Sequence, residues 1–311
     1  MNITTISYHD LMSTDASIIQ HALFNDGIIG IKDVPDFLHK SQQFIQTARK
    51  FAALDSKIKE QYAPKRDDGD TEGYELGAEW FQDAKGNWHV DDKKASYYAF
   101  VPDRAQNKWP REIDLKTAYL ELGHLIFNTG KLILDKIGLN HHAGVDHDKL
   151  IGYGRLLHYQ KENDATNENA HWCGAHFDHG IFTGLMPAYY FENGNEVAEP
   201  SEAGLFIKPT NGKDFVKINS TDKSTLLFQV GEFAQLVTHD RICATEHLVR
   251  KAKSNIERFT FALFYSPDAA TTIQSKSTLA KDSRYIENMS ADKRINFEKW
   301  NAASFAKYRA K

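Results

Sequence analysis

The spacing of apolar residues along the chain predicts helices on both sides of its middle part. Residues 114–137 have the clearest helical pattern, because apolar side chains recur there at every third or fourth position. Gly123 and Gly130 lie within this segment, which indicates close packing against a neighbouring element. Residues 42–62 and 290–311 show helical spacing more weakly, and the apolar side of the second segment carries Phe297, Trp300 and Phe305.

The middle of the chain has the pattern of a β-sheet protein. Short strand-like runs recur at 153–159, 204–208, 225–230 and 259–265, with turn residues between them and no long helical pattern. We therefore expect a mainly β fold with flanking helices (α+β), built on an antiparallel sandwich or barrel. No linker divides the chain, so we predict one unit: a mixed helical and strand part (1–150), a β core (151–268) and a C-terminal helical segment (269–311).

Composition narrows the possible partners. The 311 residues include 38 Lys and Arg and 42 Asp and Glu, a net charge of −4 that argues against non-specific nucleic-acid binding. No run approaches the roughly 18 apolar residues of a membrane span, and the first residues lack the pattern of a secretory signal. Two cysteines exclude a disulfide framework. We expect a cytoplasmic protein that acts on a small molecule, with no nucleic-acid or membrane partner; its oligomeric state stays open.

Three residues form a candidate metal site. His176 and Asp178 are two positions apart, so both side chains point to the same face if the segment is a strand. His247 follows further along the chain. Two histidines and one carboxylate suit an iron(II) site that leaves coordination positions open for substrate and oxygen. The His-x-Asp pattern alone is weak, so this prediction depends on the segments that accompany it.

The run 257–265 predicts a strand with two different faces. One face is apolar and carries Phe259, Phe261, Leu263 and Tyr265. The other carries Arg258, Thr260 and Ala262. An inner face of this kind is typical of a barrel wall that lines a polar pocket, and the planar guanidinium of Arg258 suits a carboxylate. A surface salt bridge on an edge strand is the alternative interpretation.

Together with other short segments, these residues resemble the iron(II)- and 2-oxoglutarate-dependent oxygenases of the isopenicillin N synthase-like group. The matching segments are GIIGI at 27–31, FAAL and KIK within 51–59, GY at 73–74, NKWP at 107–110, RLLHY at 155–159, GAHFDHG at 174–180, the run 231–247, and RFT at 258–260. Their order and combination are specific, although each one alone is not. Thr260 replaces the usual serine, and the 71 residues from His176 to His247 (247 − 176) exceed the spacing expected for the group.

The resemblance implies a fold, a reaction and a set of site residues. The fold is a double-stranded β-helix, or jelly roll, within 151–268. His176, Asp178 and His247 would bind Fe²⁺. Arg258 and Thr260 would hold the distal carboxylate of 2-oxoglutarate, with Tyr159 near it. The implied enzyme is a dioxygenase that uses 2-oxoglutarate and O₂ to oxidise a small molecule, most simply by hydroxylation, and releases succinate and CO₂.

The sequence says less about the primary substrate. Tyr74, Trp172 and Phe264 are candidate pocket residues, because aromatic side chains often line such sites. The extra length between the ligands lies in 191–203, which carries Glu192, Glu196, Glu199 and Glu202 and no Lys or Arg. If this acidic segment borders the mouth of the site, it favours a neutral or cationic substrate by electrostatic steering. A solvated surface loop is the alternative.

Three other interpretations stay open at this point. Cys173 with His176 and Cys243 with His247 could form a structural zinc site, although an offset of three puts Cys173 and His176 on opposite faces of a regular strand. A non-catalytic metal-binding module is a second interpretation. The third is an iron oxidase of the same group that takes all its electrons from substrate, which would also keep Arg258 and Thr260.

Overall fold

The helices of this computed structural model lie mainly before and after the β-rich middle of the chain. The structure describes residues 1–13, 15–82, 88–139, 145–161, 171–210, 212–219, 222–252 and 255–309. The α-helices are α1 (Tyr8–Ser13), α2 (Ala16–Asn25), α3 (Phe37–Ala52), α4 (Ser56–Glu60), α5 (Leu115–Lys136), α6 (Glu232–Thr238), α7 (Ser283–Ile286) and α8 (Phe297–Arg309). Short 3-10 helices lie at Arg66–Asp68, His147–Lys149 and Thr278–Lys281.

Most strands belong to two sheets. The strands before residue 150 are β1 (Thr5–Ser7), β2 (Ile28–Lys32), β3 (Gly73–Leu76), β4 (Trp80–Gln82), β5 (Trp88–Val90) and β6 (Lys94–Val101). Those of the middle are β7 (Ile151–Tyr159), β8 (His171–His176), β9 (Phe182–Leu185), β10 (Tyr189–Glu192), β11 (Asn195–Val197), β12 (Gly204–Lys208), β13 (Val216–Lys217), β14 (Leu226–Val230), β15 (Glu246–Arg250) and β16 (Ile256–Ser266). β17 (Thr272–Gln274) and β18 (Arg294–Asn296) form a separate hairpin.

The two sheets enclose a cavity. The larger sheet has the strand order β1-β2-β14-β9-β16-β7-β6-β3, with β10 and β11 added beside β16. The smaller sheet has the order β13-β12-β15-β8, and its strand pairs are antiparallel. Residues of both sheets line the space between them. The mainly β fold with flanking helices and its jelly-roll core are therefore confirmed.

The larger sheet runs across the boundary expected near residue 150. Strands β1 and β2 form one edge of this sheet, where β2 pairs with β14 of the core. Strands β3 and β6 form the other edge, where β6 pairs with β7. The N-terminal part and the β core thus share one continuous sheet.

Helix α5 packs on the outer face of the larger sheet. It covers the predicted segment 114–137 almost completely, and Asp114 caps its first turn by accepting a hydrogen bond from the Thr117 backbone nitrogen. Gly130 faces the sheet so closely that an added Cβ would lie 2.2 Å from the hydroxyl oxygen of Tyr265. That hydroxyl donates to the Ile126 carbonyl at 2.5 Å. In the described ranges no helix, α5 included, has both the length and the apolar composition needed to cross a membrane.

Two helical expectations were wrong in detail. The segment 42–62 is not one helix: α3 begins earlier, at Phe37, and α4 starts anew after Asp55, whose side chain caps it by accepting from the Lys57 nitrogen. The C-terminal segment 269–311 contains the β17–β18 hairpin before α8. In α8, Trp300 is buried, but Phe305 is 42% exposed and does not belong to the buried side. These ends depend on capping and on tertiary packing, which apolar spacing does not report.

A buried ion pair attaches the C-terminal part to the core beneath the cavity. Both terminal nitrogens of Arg284 donate to Glu232, at 2.7 and 2.8 Å. Both side chains are almost fully shielded from water. The backbone nitrogen of Glu232 donates to the carbonyl of Asp178 at 2.8 Å. The pair therefore supports the segment that carries one of the candidate metal ligands.

We predict that Arg284→Met lowers the free energy of unfolding by about 3–5 kcal/mol, because the buried Glu232 carboxylate loses its arginine and keeps only the longer contact with His179, at 3.5 Å. Denaturant unfolding followed by circular dichroism measures this change. Lys299→Met, an exposed position on α8, is the matched control and should change stability by less than about 0.5 kcal/mol. Equal stability of the two variants would contradict the assigned role of the pair.

Candidate active site

Four side chains form a row across the inner face of the larger sheet. Residues that lie opposite one another on neighbouring strands point to the same face. Lys94 on β6 lies opposite Tyr159 on β7. Tyr159 lies opposite Arg258 on β16, and Arg258 lies opposite Tyr190 on β10. We call these four residues the cation row, because Lys94 and Arg258 lie on opposite sides of Tyr159.

The smaller sheet supplies the two histidines. His247 on β15 lies directly opposite His176 at the end of β8. A β-bulge interrupts the pairing between these strands. Val249, two residues after His247, lies opposite Cys173, three residues before His176. Because of this irregularity Cys173 and His176 both face the cavity, with the sulfur 3.8 Å from His176 Nδ1. The expectation that the two residues would lie on opposite faces was wrong, since it assumed a regular strand.

His176, Asp178 and His247 converge on one point. Each offers a ligand atom, and these atoms all lie within 4.8 Å of one another. The Nε2 atoms of His176 and His247 lie 3.8 and 3.9 Å from the same carboxylate oxygen, Oδ1 of Asp178. Asp178 and His247 are buried, and His176 is partly exposed to the cavity. This group of two nitrogens and one oxygen is suited to a divalent metal ion and leaves one side open.

Hydrogen bonds fix which atoms are available to a metal. The second oxygen of Asp178 accepts from Thr183 Oγ1 and from Gln229 Nε2, each at 2.6 Å. His176 Nδ1 lies 2.8 Å from the Gly174 carbonyl, and His247 Nδ1 lies 3.0 Å from a backbone carbonyl of its own segment. Donation to these carbonyls places the proton of each neutral imidazole on Nδ1 and leaves Nε2 as the ligand atom; the Gln229 amide nitrogen also lies 3.2 Å from Nε2 of His247.

The triad combines an ionised carboxyl with two histidines whose pKa values are shifted in opposite directions. Burial disfavours the ionised form of Asp178, but His247 and His176 outweigh it and hold the pKa of this carboxyl below its usual value. Burial, helped by repulsion from His176, lowers the pKa of His247 to about 4. Burial also acts to lower the pKa of His176, but Cys173 and Asp178 outweigh it and raise that pKa to about 9. A metal ion that binds here displaces the proton of His176.

Arg258 is a buried cation with unused hydrogen-bonding capacity. Its Nε donates to the Tyr190 hydroxyl at 3.4 Å, and its guanidinium carbon lies 5.2 Å from the centre of the Tyr159 ring. Its Nη1 is buried and has no hydrogen-bond partner among the described residues. A buried guanidinium nitrogen without a partner is costly, and the carboxylate of a ligand in the cavity would satisfy it.

The remaining predicted residues occupy different places. Thr260 lies on the cavity wall, but its hydroxyl donates to the Met186 carbonyl at 2.7 Å and is not available to a carboxylate in this arrangement. Phe264 lines the cavity. Trp172 packs behind the cavity wall, with its ring 5.6 Å from that of Tyr159. The structure places Tyr74 in the core, against Phe51, and not at the cavity.

The acidic segment 191–203 is a β-hairpin followed by a turn. Its strands are β10 and β11, and Phe191 is buried in the core. Glu196 is exposed, but Glu199 reaches the wall of the cavity. There Glu199 accepts from the Tyr190 hydroxyl at 2.9 Å and pairs with Lys217 at 2.9 Å. The segment is thus neither a uniformly solvated loop nor a uniformly acidic rim.

The zinc interpretation has no support in the described residues. The only cluster of three or more potential ligands found there is the His-Asp-His group, and it contains no cysteine. Cys243 approaches the backbone carbonyl of Asp240 at 4.0 Å, and both cysteines are free thiols.

Several cavity residues went unnoticed in the sequence. Gln229 was visible as one polar residue in the apolar run of β14, and Thr183 on β9 lies directly opposite it. Lys94 and its contacts were hidden, because β6 is buried along almost its whole length and does not alternate. Such a strand gives no periodic signal from which an inward-facing lysine can be recognised.

Comparison of the sequence with known proteins gives a partial match. No family model matches the chain. UPF0676 protein C1494.01 of Schizosaccharomyces pombe is 30% identical over 151 residues, which are 46% of this chain and 43% of that protein. The match thus spans less than half of the length of that relative.

Solved structures match over nearly the whole chain. A putative 2OG-Fe(II) oxygenase family protein from Caulobacter crescentus has a TM-score of 0.74 at 22% identity and covers 98% of both chains. A full-length Neurospora crassa protein in complex with alpha-KG has a TM-score of 0.72 at 20% identity, over 98% of this chain and 96% of that one. JOX2 in complex with 2OG, Fe and JA has a TM-score of 0.71 at 16% identity, over 98% and 85%. The chain has the fold of these proteins, which confirms at the level of the fold the resemblance seen in the motifs.

We predict that Gln229→Leu weakens iron(II) binding about 10–100-fold, because Asp178 then loses one of the two hydrogen bonds that orient it. Titration of the metal-free protein with iron(II) in the absence of oxygen measures the dissociation constant. Gln43→Leu, an exposed position on α3, serves as the control. Identical iron affinity of Gln229→Leu and the unchanged protein would show that Gln229 does not support the metal site.

Proposed function

We propose that this protein is a non-haem iron(II), 2-oxoglutarate-dependent oxygenase that oxidises a small molecule, with hydroxylation as the simplest outcome. The observation that carries the proposal is a single cavity with a His-Asp-His triad at one point of its wall and the unpartnered buried Nη1 of Arg258 at another. The fold shared with solved oxygenases supports it.

The triad fits a metal of this type. His176, Asp178 and His247 would hold iron(II) through two imidazole nitrogens and one carboxylate oxygen, and two histidines with one carboxylate is the ligand set of non-haem iron(II) oxygenases. The Nε2 atoms are suited to this purpose, because both Nδ1 atoms face backbone carbonyls. When bound together, iron(II) and 2-oxoglutarate supply the oxidising chemistry, with succinate and CO₂ as co-products.

Residues of the larger sheet would hold the cosubstrate and keep water away from it. Arg258 would pair with the distal carboxylate of 2-oxoglutarate through Nη1, which now lacks a partner. Tyr159 and Tyr190, the neighbours of Arg258 in the cation row, contact its guanidinium from opposite sides. Neighbouring wall positions are apolar and exclude water, notably Leu157, Ala262 and Phe264. Thr260 would shape this end of the cavity without donating a hydrogen bond.

Two alternatives make different predictions. An iron oxidase that uses electrons from substrate alone would not need a carboxylate at Arg258, whereas here that nitrogen is buried and unsatisfied. A non-catalytic metal-binding module would not consume 2-oxoglutarate. The Neurospora crassa protein and JOX2 were crystallised with alpha-KG or 2OG, which favours the cosubstrate-dependent enzyme. The single-unit organisation, the cytoplasmic location and the absence of a nucleic-acid partner stay predictions from composition and pattern.

Iron-dependent release of succinate from 2-oxoglutarate tests the proposed activity. We expect slow succinate formation with iron(II), 2-oxoglutarate and oxygen, even without the primary substrate. His176→Ala should remove it together with tight iron binding, because one of three ligands is lost. Succinate release at the same rate in His176→Ala, or none in the iron-loaded unchanged protein, would contradict the proposal.

We further predict that Arg258→Lys weakens 2-oxoglutarate binding at least about tenfold and leaves iron affinity nearly unchanged. The lysine keeps the charge but cannot reproduce the planar arrangement of donors. The loss of one hydrogen bond to a charged group corresponds to about a tenfold loss of affinity. Calorimetric titration of the iron-loaded protein without oxygen measures it. Arg250→Lys, on an exposed position of β15, is the control. Equal affinity in Arg258→Lys would show that Arg258 does not hold the distal carboxylate of 2-oxoglutarate.

A further inference from the structure

We propose that the primary substrate carries a carboxylate or a similar anionic group, and that Lys94 and Arg155 bind it inside the cavity. The inference rests on the proposed function, since it assigns a second ligand to the same cavity. It concerns a different part of the wall from Arg258, on strands β6 and β7.

Lys94 is a buried cation beside the metal ligands. Its side chain is only 3% exposed, and it lines the cavity. Its Nζ lies 3.5 Å from the sulfur of Cys173, and that sulfur lies 3.8 Å from Nδ1 of His176. The ammonium group is therefore two contacts away from the metal site. A ligand group bound to Lys94 would hold the rest of the molecule next to the metal.

Arg155 is the second cation of this part of the wall. Arg155 lies on β7 four residues before Tyr159, and Tyr159 is the strand partner of Lys94. Arg155 and Lys94 therefore share one face of the sheet, two inward-facing positions apart. Its Nε and Nη2 donate to Ser96 Oγ at 3.0 and 2.8 Å, and its side chain is 15% exposed. Its guanidinium carbon lies 5.1 Å from the centre of the Tyr98 ring. These contacts fix the guanidinium on the cavity wall.

The two cations share one carboxylate. Glu79 pairs with both Lys94 and Arg155. It precedes β4, outside the sheet that carries the cations, and its side chain is 30% exposed. A structural ion pair needs one cation for one carboxylate, and burial of a second cation costs free energy unless it is compensated. Besides Glu79, the ammonium group of Lys94 has only the Cys173 thiol as a hydrogen-bond partner among the described residues, and a thiol is a weak acceptor. The cluster therefore offers a positive charge to an anion that enters the cavity.

The Tyr159 ring separates this cluster from the cosubstrate site. Lys94 Nζ lies 5.8 Å from the ring centre, and the guanidinium carbon of Arg258 lies 5.2 Å from it. The two cations come from strands on opposite sides of β7, so they approach the ring from different sides. One anion can bind at each of them. The cavity thus distinguishes the distal carboxylate of 2-oxoglutarate from the anionic group of the substrate.

Apolar side chains also line the cavity that holds the cations and the triad. They are Leu157, Leu185, Leu205, Leu227 and Val249. A substrate that fits has an apolar body and one anionic group, in the manner of a small carboxylic acid. This reverses the sign expected from the acidic segment 191–203. The glutamate of that segment on the cavity wall, Glu199, is already neutralised by Lys217.

Hexanoate and hexanamide are suitable probes, because they share an apolar chain and differ in the charge of the head group. Each is titrated into the protein loaded with iron(II) and saturating 2-oxoglutarate, without oxygen, so that Arg258 is occupied and no turnover occurs. We expect hexanoate to bind at least tenfold more tightly than hexanamide. Iron and 2-oxoglutarate binding are measured first, so a failure of the proposed function is recognised separately from a failure of this inference.

Two further variants test the charges directly: one removes a cation and the other removes the carboxylate that pairs with it. Lys94→Met should weaken hexanoate binding at least tenfold, whereas Glu79→Gln should strengthen it, because the internal competitor for the cations is removed. Lys93→Met, the neighbour in sequence with a side chain 42% exposed, is the control and should bind as the unchanged protein does. Circular dichroism and 2-oxoglutarate affinity verify that each variant is folded, and Arg155→Gln, which also removes one cation, replaces Lys94→Met if the latter is not.

The inference is supported if the acid binds better than the amide and the preference disappears in Lys94→Met or Arg155→Gln. It is overturned if hexanoate and hexanamide behave alike, whether both bind or neither does. It is also overturned if the folded cation variants keep the full affinity for hexanoate.

Discussion

The carboxylate of Asp178 joins the two sheets of the jelly roll, and the candidate site depends on this connection. One of its oxygens faces the histidines of the smaller sheet, while the other accepts from Thr183 and Gln229 of the larger sheet. Both donors are buried, so these hydrogen bonds are protected from water. The carboxylate can therefore point in one direction only. The pairing of β15 with β8 places His247 opposite His176 and completes the triad.

The register of the larger sheet then decides the chemistry of the rest of the cavity. Because β6, β7 and β16 are adjacent, Lys94 and Arg258 lie on either side of Tyr159 in one row. A shift of one residue in either pairing would turn these side chains to the outer face. In the proposed enzyme, Arg258 would bind the cosubstrate and Lys94 would bind the substrate. The fold provides the separation between them, and the side chains provide the charges.

The sequence predicted what is encoded locally. The alternating strand around Arg258 is a short pattern, and it lies where it was expected. His176 and Asp178 also face one site, but β8 ends at His176 and Asp178 follows it outside the strand. Features that depend on distant partners were not predictable. Asp55 caps a new helix inside a run that looked continuous. The bulge that turns Cys173 into the cavity arises from pairing with β15. Lys94 lies on a strand buried on both faces, where neither hydrophobicity nor alternation distinguishes an inward-facing lysine.

The most direct test of the central claim is the anomalous difference density of crystals grown with manganese(II) and 2-oxoglutarate in the absence of oxygen. Manganese accepts the same nitrogen and oxygen ligands as iron(II) and does not turn over under these conditions. We predict one metal peak within bonding distance of His176 Nε2, Asp178 Oδ1 and His247 Nε2, with a carboxylate of 2-oxoglutarate against Nη1 of Arg258. A metal bound through Cys173, or 2-oxoglutarate bound away from Arg258, would contradict the account.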